Sequence, residues 1–531
     1  MLPFGQSQEA TMGLLARTEM ASEVFTLVAP TGSDIAYLVN NCGHLVHRWN
    51  FPNKGCFGTY LRDDGKLVRV ESVDAAFPAG GGAGRLSIYD WDSNVVWSQA
   101  FAEDDKFSIH HDIALLPNGN ILVMIWEKVS EQNAILAGRV SSTVSSQGIW
   151  AEVIHEIKPI GTDESEIVWQ WRVMDHLVQD VSPGSNNFGV IKERPGKIDF
   201  NLKSNDSADY FHFNGIDYHP KSDLILVSAR NFSEVFILDH STTTGEAAGS
   251  VGGNFGKGGD LLYRTGNPQV YHHGTANDQV FFGQHDARWL LGDNESDLTF
   301  SIYNNGAGRP DGIYSTVEET IPKFDMVSGA FELDIDAGFV NERQEIVIDG
   351  SQFTSFFSSR MSGAYKLNNS NYMVCHGSSG TLMEVDSNLE IHWVYVNPAN
   401  AVGIGTQGGN PGPNSVFKVQ SFESSYSGFG GRDLVGFEPL ELEPIDYNCT
   451  ATSVKEEITH NLKYNSIWTE DFYLQSNEPL NAVSIFTIHG ELITTNVVMS
   501  QQTEALISVA HLPQGMYVVR VNNQTLKCVK H

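Results

Sequence analysis

Little in this chain points to a membrane, a nucleotide or nucleic acid. No run of about 18 apolar residues occurs, so no helix is expected to span a bilayer. Basic residues are scarce: 33 Lys and Arg stand against 64 Asp and Glu, for a formal net charge of −31. So acidic a surface repels nucleic acid and anionic lipid at long range, which argues against both as partners. It also sets a condition on any anionic substrate, because a local cationic pocket must then overcome the global field. Cysteines are few. Cys42, Cys56, Cys375, Cys449 and Cys528 form no CxxC pair, which removes zinc ribbons and dithiol redox motifs, and their odd number leaves at least one unpaired. No GxSxG elbow and no GxxxxGK[ST] loop is present. The run Gly80-Gly81-Gly82 lacks a following Lys, and GGNFGKGGD at 252–260 holds a Lys without an adjacent Ser or Thr. No nucleotide or other cofactor is therefore expected. The start, Met1-Leu2-Pro3-Phe4-Gly5-Gln6, has neither the basic residues nor the apolar stretch of a leader peptide. Either the protein is not exported or its leader has been removed.

What is abundant is glycine, 50 residues of it, in a chain that is 41% apolar. Asn-Gly, Asp-Gly and Gly-Gly pairs recur, and they supply the positive φ angles of tight hairpins. The chain also repeats. A polar turn followed by a strand, often with Trp near its end, recurs at 41–51, 91–101, 163–173, 256–266, 326–336 and 385–395. A strand–turn–strand unit recurs at 57–70, 111–124, 212–228, 285–303 and 362–375. Short antiparallel strands repeated radially predict a β-propeller, and six copies predict six blades. A β-sandwich, the rival all-β fold, does not predict such copies. The uneven spacing places long insertions at 129–160, 177–208 and 240–256. Residues 402–447 are expected to return to the first blade and close the ring. The propeller is expected to occupy 1–449, a polar linker 450–463, and a small β-sandwich-like module 464–531.

Three of the strand–turn–strand copies begin with histidine: His111, His212 and His285. The other two begin with Phe57 and Ser362. Equivalent positions in a propeller lie at equivalent radii, so the three imidazoles are expected to converge on the central channel. His110 adjoins His111, and strand alternation predicts that one of the two faces inward, with register favouring His111. His219, His272, His273 and His376 lack such support and read as structural. Arg230 follows the strand after His212, within reach of the same mouth. A buried guanidinium needs an anion, either an internal one (Asp217, Glu234 or Asp239) or a bound oxyanion. Three histidines also suit a catalytic zinc, but no short His-x-His or His-Glu-x-x-His element is present and a neighbouring guanidinium would repel a dication. No metal is therefore assigned. Tyr210, Phe211 and Trp289 are candidates either for stacking on a substrate ring or for the core.

The segments HHDIALLPNGNILVM, DYFHFNGIDYHPKSDLILVSARNFSEVFILDHS, GGNFGKGGDLLYRTGNP and QHDARWL with the later IYNNGAGRP resemble the bacterial arylsulfate sulfotransferases that use no nucleotide sulfate donor. The likeness runs from about residue 20 to 447 and is densest over 209–268. It implies a six-bladed propeller that moves a sulfuryl group from a phenolic sulfate to an acceptor phenol by a ping-pong route through a sulfated histidine. By motif the nucleophile falls on His285, a second histidine on His212, the arginine on Arg230, and a further histidine on the His110–His111 pair. The end of the chain, HLPQGMYVVRVNNQTLKCVKH, resembles a type IX secretion sorting domain. That implies export to the cell surface or medium through the periplasm, with the secretion machinery as a partner of 464–531. The sorting-type tail is no part of the enzyme family's core, and a separate N-terminal domain of some periplasmic members is expected to be lacking or only vestigial here. The competing readings are a non-catalytic surface-binding propeller and a metal-dependent hydrolase or lyase on the same scaffold.

Overall fold

The computed structural model describes residues 10–445 except 74–76, 78–79, 203–206, 292–297 and 354–355. Toward the C-terminus it describes 457–459, 462–464, 467–468, 471–476, 479–480, 482–487, 492–497, 503–521 and 524–530. Strands dominate, arranged as a six-bladed β-propeller. Among the described residues the only α-helices are Glu131–Leu136 and Thr244–Ala247, so no helix there is long and apolar enough to cross a membrane.

Each blade is a four-stranded antiparallel meander. Blade 2 is Gly55–Leu61, Leu67–Glu71, Arg85–Tyr89 and Val95–Ala100. Blade 3 is Phe107–Leu115, Ile121–Val129, Ile149–Ile160 and Glu164–Arg172, with the short Ala102–Glu103 added beside the first. Blade 4 is Phe213–His219, Leu224–Ala229, Glu234–Asp239 and Tyr263–Thr265. Blade 5 is His285–Trp289, Phe300–Asn304, Thr316–Pro322 and Asn341–Asp349. Blade 6 is Gly363–Lys366, Tyr372–His376, Thr381–Val385 and Ile391–Val396, with Gly13–Arg17 as a fifth, outermost strand. Blade 1 takes Val24–Val28, Ile35–Asn40 and Leu45–Asn50 from the N-terminal side and Gln420–Glu423 from the C-terminal side. The return of 402–447 to the first blade is therefore the ring closure, made by Val24↔Glu423 through Leu27↔Gln420. Both ends of the propeller are tied into blades they did not start, which leaves no open seam.

The five strand–turn–strand copies all fall on the first two strands of blades 2 to 6. Five of the six outer-strand copies fall on fourth or last strands. The copy at 326–336 does not: it forms two small hairpins, Phe324–Asp325 with Ala330–Phe331 and Leu333–Asp334 with Gly338–Phe339. The true outer strand of blade 5 is Asn341–Asp349, largely exposed and polar in sequence, so it carries no apolar alternation to find. The stretch 129–160 is likewise only partly an insertion, because Ile149–Ile160 is the third strand of blade 3.

The C-terminal module is built on a pair of sheets. One orders Glu457–Thr459, Leu462–Tyr464, Asp471–Ser476 and Glu504–Ser508; the other orders Ile467–Trp468, Gln524–Lys530, Gly515–Val521, Ala482–Thr487 and Leu492–Val497. Alternate residues such as Phe472, Leu474, Val483, Ile485, Val519 and Val521 make their shared core. Of the stretch read as a linker, 450–456 lies outside the described residues, while Glu457–Thr459 and Leu462–Tyr464 form an edge hairpin. Such a hairpin is held by backbone hydrogen bonds, so its polar composition disguised it. Cys56 and Cys375 are free and buried, and Cys528 is buried. Cys42 is disulfide-bonded, to a partner outside the described residues.

The propeller axis is filled by a buried ionic cluster. Lys418, two residues before the closing strand, donates to Asp112 of blade 3 at 2.6 Å and to Asp286 of blade 5 at 3.1 Å. Arg288 donates to both Asp286 oxygens at 3.0 and 3.1 Å, Tyr60 of blade 2 donates to Asp112 at 2.6 Å, and the Ala364 amide of blade 6 donates to Asp286 at 3.1 Å. Gly363 has to be glycine, since a Cβ there would lie 2.2 Å from Asp286 Oδ2. Removing one member of such a cluster leaves buried charge unpaired. Lys418→Met is expected to cost about 3–5 kcal/mol of stability. Denaturant unfolding checks this, and a loss under about 1 kcal/mol, the scale of a surface pair, would show that the axis does not depend on the ammonium.

Candidate active site

The inner strands of blades 3, 4 and 5 pack side by side; His111 lies midway along the first, His212 immediately precedes the second and His285 begins the third. The backbone there is not regular. Strand Phe107–Leu115 bulges between Ile109 and Ile113, and His111 and His212 adopt φ of 47° and 52°, in the left-handed region. Bulges of this kind re-aim side chains beside functional sites. The glycine run at 80–82 is no phosphate loop, but it has another use. The His111 amide donates to the Gly81 carbonyl, and a Cβ on Gly81 would lie 1.8 Å from His111 Cε1. Gly81, at φ 106°, is thus the bare backbone against which His111 rests.

His111 and His212 meet edge to face, with ring centroids 4.7 Å apart. The His212 ring is anchored by Asp209, whose Oδ2 lies 2.5 Å from Nδ1. His285 is fixed more completely. Asn305 Nδ2 donates to the Ser358 and Met361 carbonyls at 2.7 and 3.0 Å, which turns its Oδ1 toward His285. That oxygen accepts from His285 Nδ1 at 2.7 Å, so Nε2 keeps its lone pair and accepts from the Met361 amide at 3.1 Å. The neighbouring residues of the same motif lock it in place. Gln284 donates to Ser228 Oγ and to the Glu234 carbonyl of blade 4, Asp286 joins the axial cluster, and the Trp289 amide donates to Asp217 at 2.8 Å.

Arg230 caps the strand Leu224–Ala229, and its amide donates to the His212 carbonyl at 3.1 Å. Its guanidinium runs beside the segment leading into His285, about where a Cβ on Gly283 would lie 3.9 Å from Nε. None of the internal anions considered for it serves. Asp217 takes the Trp289 amide, Glu234 is paired with Arg264, and Asp239 accepts from Ser241 and Phe255. Among the described residues no carboxylate forms an ion pair with Arg230, a mostly buried cation flanked by imidazoles. Burial lowers its pKa, against the pull of Asp209.

The pair His110–His111 does not alternate. The bulge brings both Nδ1 atoms to 3.1 Å of one another. His111 faces His212, whereas His110 lies inside blade 3, stacked on Trp126 at 4.2 Å with Nε2 2.9 Å from Glu152. Tyr210, Phe211 and Trp289 are core residues, each at most 4% exposed. The aromatic rings beside His111 are instead Phe57, at 5.3 Å, and Phe417, at 6.4 Å. Sequence reasoning passed over Asp209, Asn305, Glu152 and Phe57. Phe57 carried a signal, since it occupies the blade 2 position equivalent to the histidines, and Asp209 and Asn305 stand within the motifs that carry the family resemblance.

Burial holds the imidazoles neutral. His110 and His285 are pushed down to about 3, His285 by burial first and then by the Arg230 charge, and His111 is lowered well below the usual value by burial and by the neighbouring His212. The unfolded chain therefore binds more protons than the folded one between about pH 3 and pH 6.5, and this contribution to stability is present above that window and lost as pH falls through it. The melting temperature is expected to drop between pH 6.5 and pH 4, with a shallower drop in His285→Asn. An equal slope in the two proteins would mean that His285 is protonated in the fold.

A six-bladed propeller brings together histidines from three consecutive blades and an arginine that forms no ion pair among the described residues, the setting of an axial site. The chain belongs to the arylsulfotransferase (ASST) family, whose model matches residues 47–398, and it is by that membership a transferase of sulfuryl groups. Residues 468–531 match the secretion system C-terminal sorting domain, which marks the protein for export to the cell surface or medium by the type IX route. No curated protein matches the chain. Among solved structures, a Bacteroides caccae protein of unknown function is similar at 12% identity over 76% of this chain and 99% of that one, with a TM-score of 0.40. A putative 6-phosphogluconolactonase from Bacteroides fragilis is similar at 9% identity over 76% and 99%, with a TM-score of 0.35. The periplasmic gluconolactonase PpgL of Pseudomonas aeruginosa is similar at 10% identity over 75% and 98%, with a TM-score of 0.34. Likenesses this distant carry no argument about function.

Proposed function

We propose that the protein moves a sulfuryl group from a phenolic sulfate ester to an acceptor phenol by a ping-pong route, with His285 as the nucleophile. The observation that carries this reading is the pairing of a proton-free His285 Nε2 with an Arg230 that forms no ion pair among the described residues. An aryl sulfate is a monoanion that supplies the missing charge. Arg230 holds the sulfuryl oxygens, and His212 and His111 add hydrogen bonds to them or to the phenolic oxygen.

In the first half-reaction Nε2 attacks sulfur, the S–O bond to the aryl group breaks, and the phenol leaves with a proton. The Met361 amide yields the Nε2 lone pair to sulfur and becomes a donor for a sulfuryl oxygen. The resulting N-sulfo-imidazolium keeps its Nδ1 proton on Asn305, which spreads the new positive charge. In the second half-reaction an acceptor phenol loses its proton to the site and its oxygen takes the sulfuryl group, freeing His285. No nucleotide enters, because aryl sulfate and sulfohistidine are both activated donors.

With a chromogenic aryl sulfate, an added phenol and chelator, the purified protein is expected to release phenol and to carry a sulfate mass adduct on the peptide containing His285. His285→Ala is expected to lose both the adduct and turnover, and wild-type turnover in that variant would remove the assignment. Arg230→Ala is expected to lower kcat/KM on the order of 100- to 1,000-fold, as for loss of one oxyanion donor. No release across a broad donor panel would favour a surface-binding propeller.

A further inference from the structure

The site poses a proton problem. The leaving phenolate needs a proton and the acceptor phenol must lose one, yet burial and the neighbouring His212 and Arg230 hold His111 far below the range in which an imidazolium forms near neutral pH. A conventional histidine acid, cycling between imidazolium and imidazole, is disfavoured at this position. Behind His111 lies a continuous line of buried groups. Its Nδ1 is 3.1 Å from His110 Nδ1, and His110 Nε2 is 2.9 Å from Glu152 Oε2. The side chains of His110 and Glu152 are wholly buried, and their facing atoms, although 2.9 Å apart, are angled short of a formal hydrogen bond and have no other hydrogen-bond partner. His110 cannot turn away, being stacked on Trp126 at 8° and bridged to Gly82 through its backbone.

We propose that Glu152, His110 and His111 form a proton relay that lets His111 act as acid in one half-reaction and as base in the other while it stays neutral. The inference rests on the sulfuryl-transfer reading above. In the loaded state Glu152 is a carboxylic acid donating to His110 Nε2, His110 Nδ1–H donates to His111 Nδ1, and His111 presents Nε2–H to the site. When the phenolate leaves, it takes the His111 Nε2 proton. His111 Nδ1 takes the proton of His110 Nδ1, His110 Nε2 takes that of Glu152, and Glu152 is left as carboxylate. His111 then presents an Nε2 lone pair. The acceptor phenol returns its proton there, the shifts reverse, and Glu152 is reprotonated. One proton leaves with the first phenol and one arrives from the second, so the cycle balances without solvent.

The environment of Glu152 suits both states. Burial raises its pKa well above the usual carboxylate range, which keeps it loaded at rest. Its other oxygen, Oε1, accepts from Trp126 Nε1 at 3.2 Å and from the Phe213 amide at 2.9 Å, two donors that steady the transient carboxylate. Glu152 and His110 touch no substrate, so they are positioning residues that act through His111.

The test uses leaving-group dependence, which a merely structural role does not move. Sulfo-enzyme formation is followed in a rapid-mixing burst with para-nitrophenyl sulfate, whose phenolate leaves without help, and with phenyl sulfate, whose phenolate needs a proton. Burst amplitude counts active sites, so partial misfolding does not enter the rates. Glu152→Gln is expected to raise the ratio of the two burst rates on the order of 100-fold over wild type, the size of a general-acid contribution. His110→Phe, which keeps the stack on Trp126 but carries no proton, is expected to do the same. A ratio equal to that of wild type in both variants overturns the relay while leaving the nucleophile in place. A wild-type protein that forms no adduct at His285 overturns the sulfuryl-transfer reading and the relay with it.

Discussion

Everything at the mouth of this propeller depends on how two carboxylates and one ammonium are paired on its axis. Asp112 and Asp286 come from blades 3 and 5, on opposite sides of blade 4, and Lys418 bridges them from the segment that leads into the closing strand. A buried charge cluster stabilises a fold only when its geometry is good and its remaining lone pairs are satisfied. Here Arg288, Tyr60 and the Ala364 and Ile216 amides complete the count. Ring closure and axial electrostatics are therefore one event: the last strand cannot zip onto the first blade without delivering Lys418 to its two partners.

The same cluster sets the active site, because each of its aspartates directly follows a site histidine. His111–Asp112 and His285–Asp286 are consecutive pairs, and left-handed φ values at His111 and Asp286 let one side chain reach the axis while the other reaches the mouth. Charge is thus segregated over a single residue step. The axis is ionic and internally compensated. The mouth holds imidazoles around a guanidinium without an ion-pair partner among the described residues. In a chain of net charge −31 the global field opposes an anion, and the local field of that guanidinium acts against it in a low-dielectric wall, where Coulomb terms are several-fold larger than in water.

The propeller was legible in the sequence where its strands are half-buried. Turns such as Pro117-Asn118-Gly119-Asn120 between alternating strands marked the inner hairpins of blades 2 to 6, and register then aligned His111, His212 and His285. Legibility failed where burial fades. Asn341–Asp349 is a solvent-facing outer strand with no apolar face, and a nearby turn-rich stretch at 326–336 imitated it. For the site, the residues that meet at long sequence separation were illegible for a different reason. Glu152 lies 42 positions from His110, Asn305 20 from His285 and Lys418 306 from Asp112, and only the folded blades and the closed ring give those separations a meaning.

The repeat shows where specialisation entered. Five blades present an equivalent inner position, and its occupants are Phe57, His111, His212, His285 and Ser362 in order around the axis. Three consecutive blades supply nitrogen. The flanking two supply an aromatic ring and a turn: Phe57 packs 5.3 Å from His111, and Ser362, at φ 85°, follows the Met361 whose amide meets His285. On the proposed sulfuryl-transfer reading, the row separates proton handling at His111, backed by blade 3, from attack at His285, backed by blades 5 and 6. A repeated fold gives equivalent places; specialisation comes from breaking their equivalence.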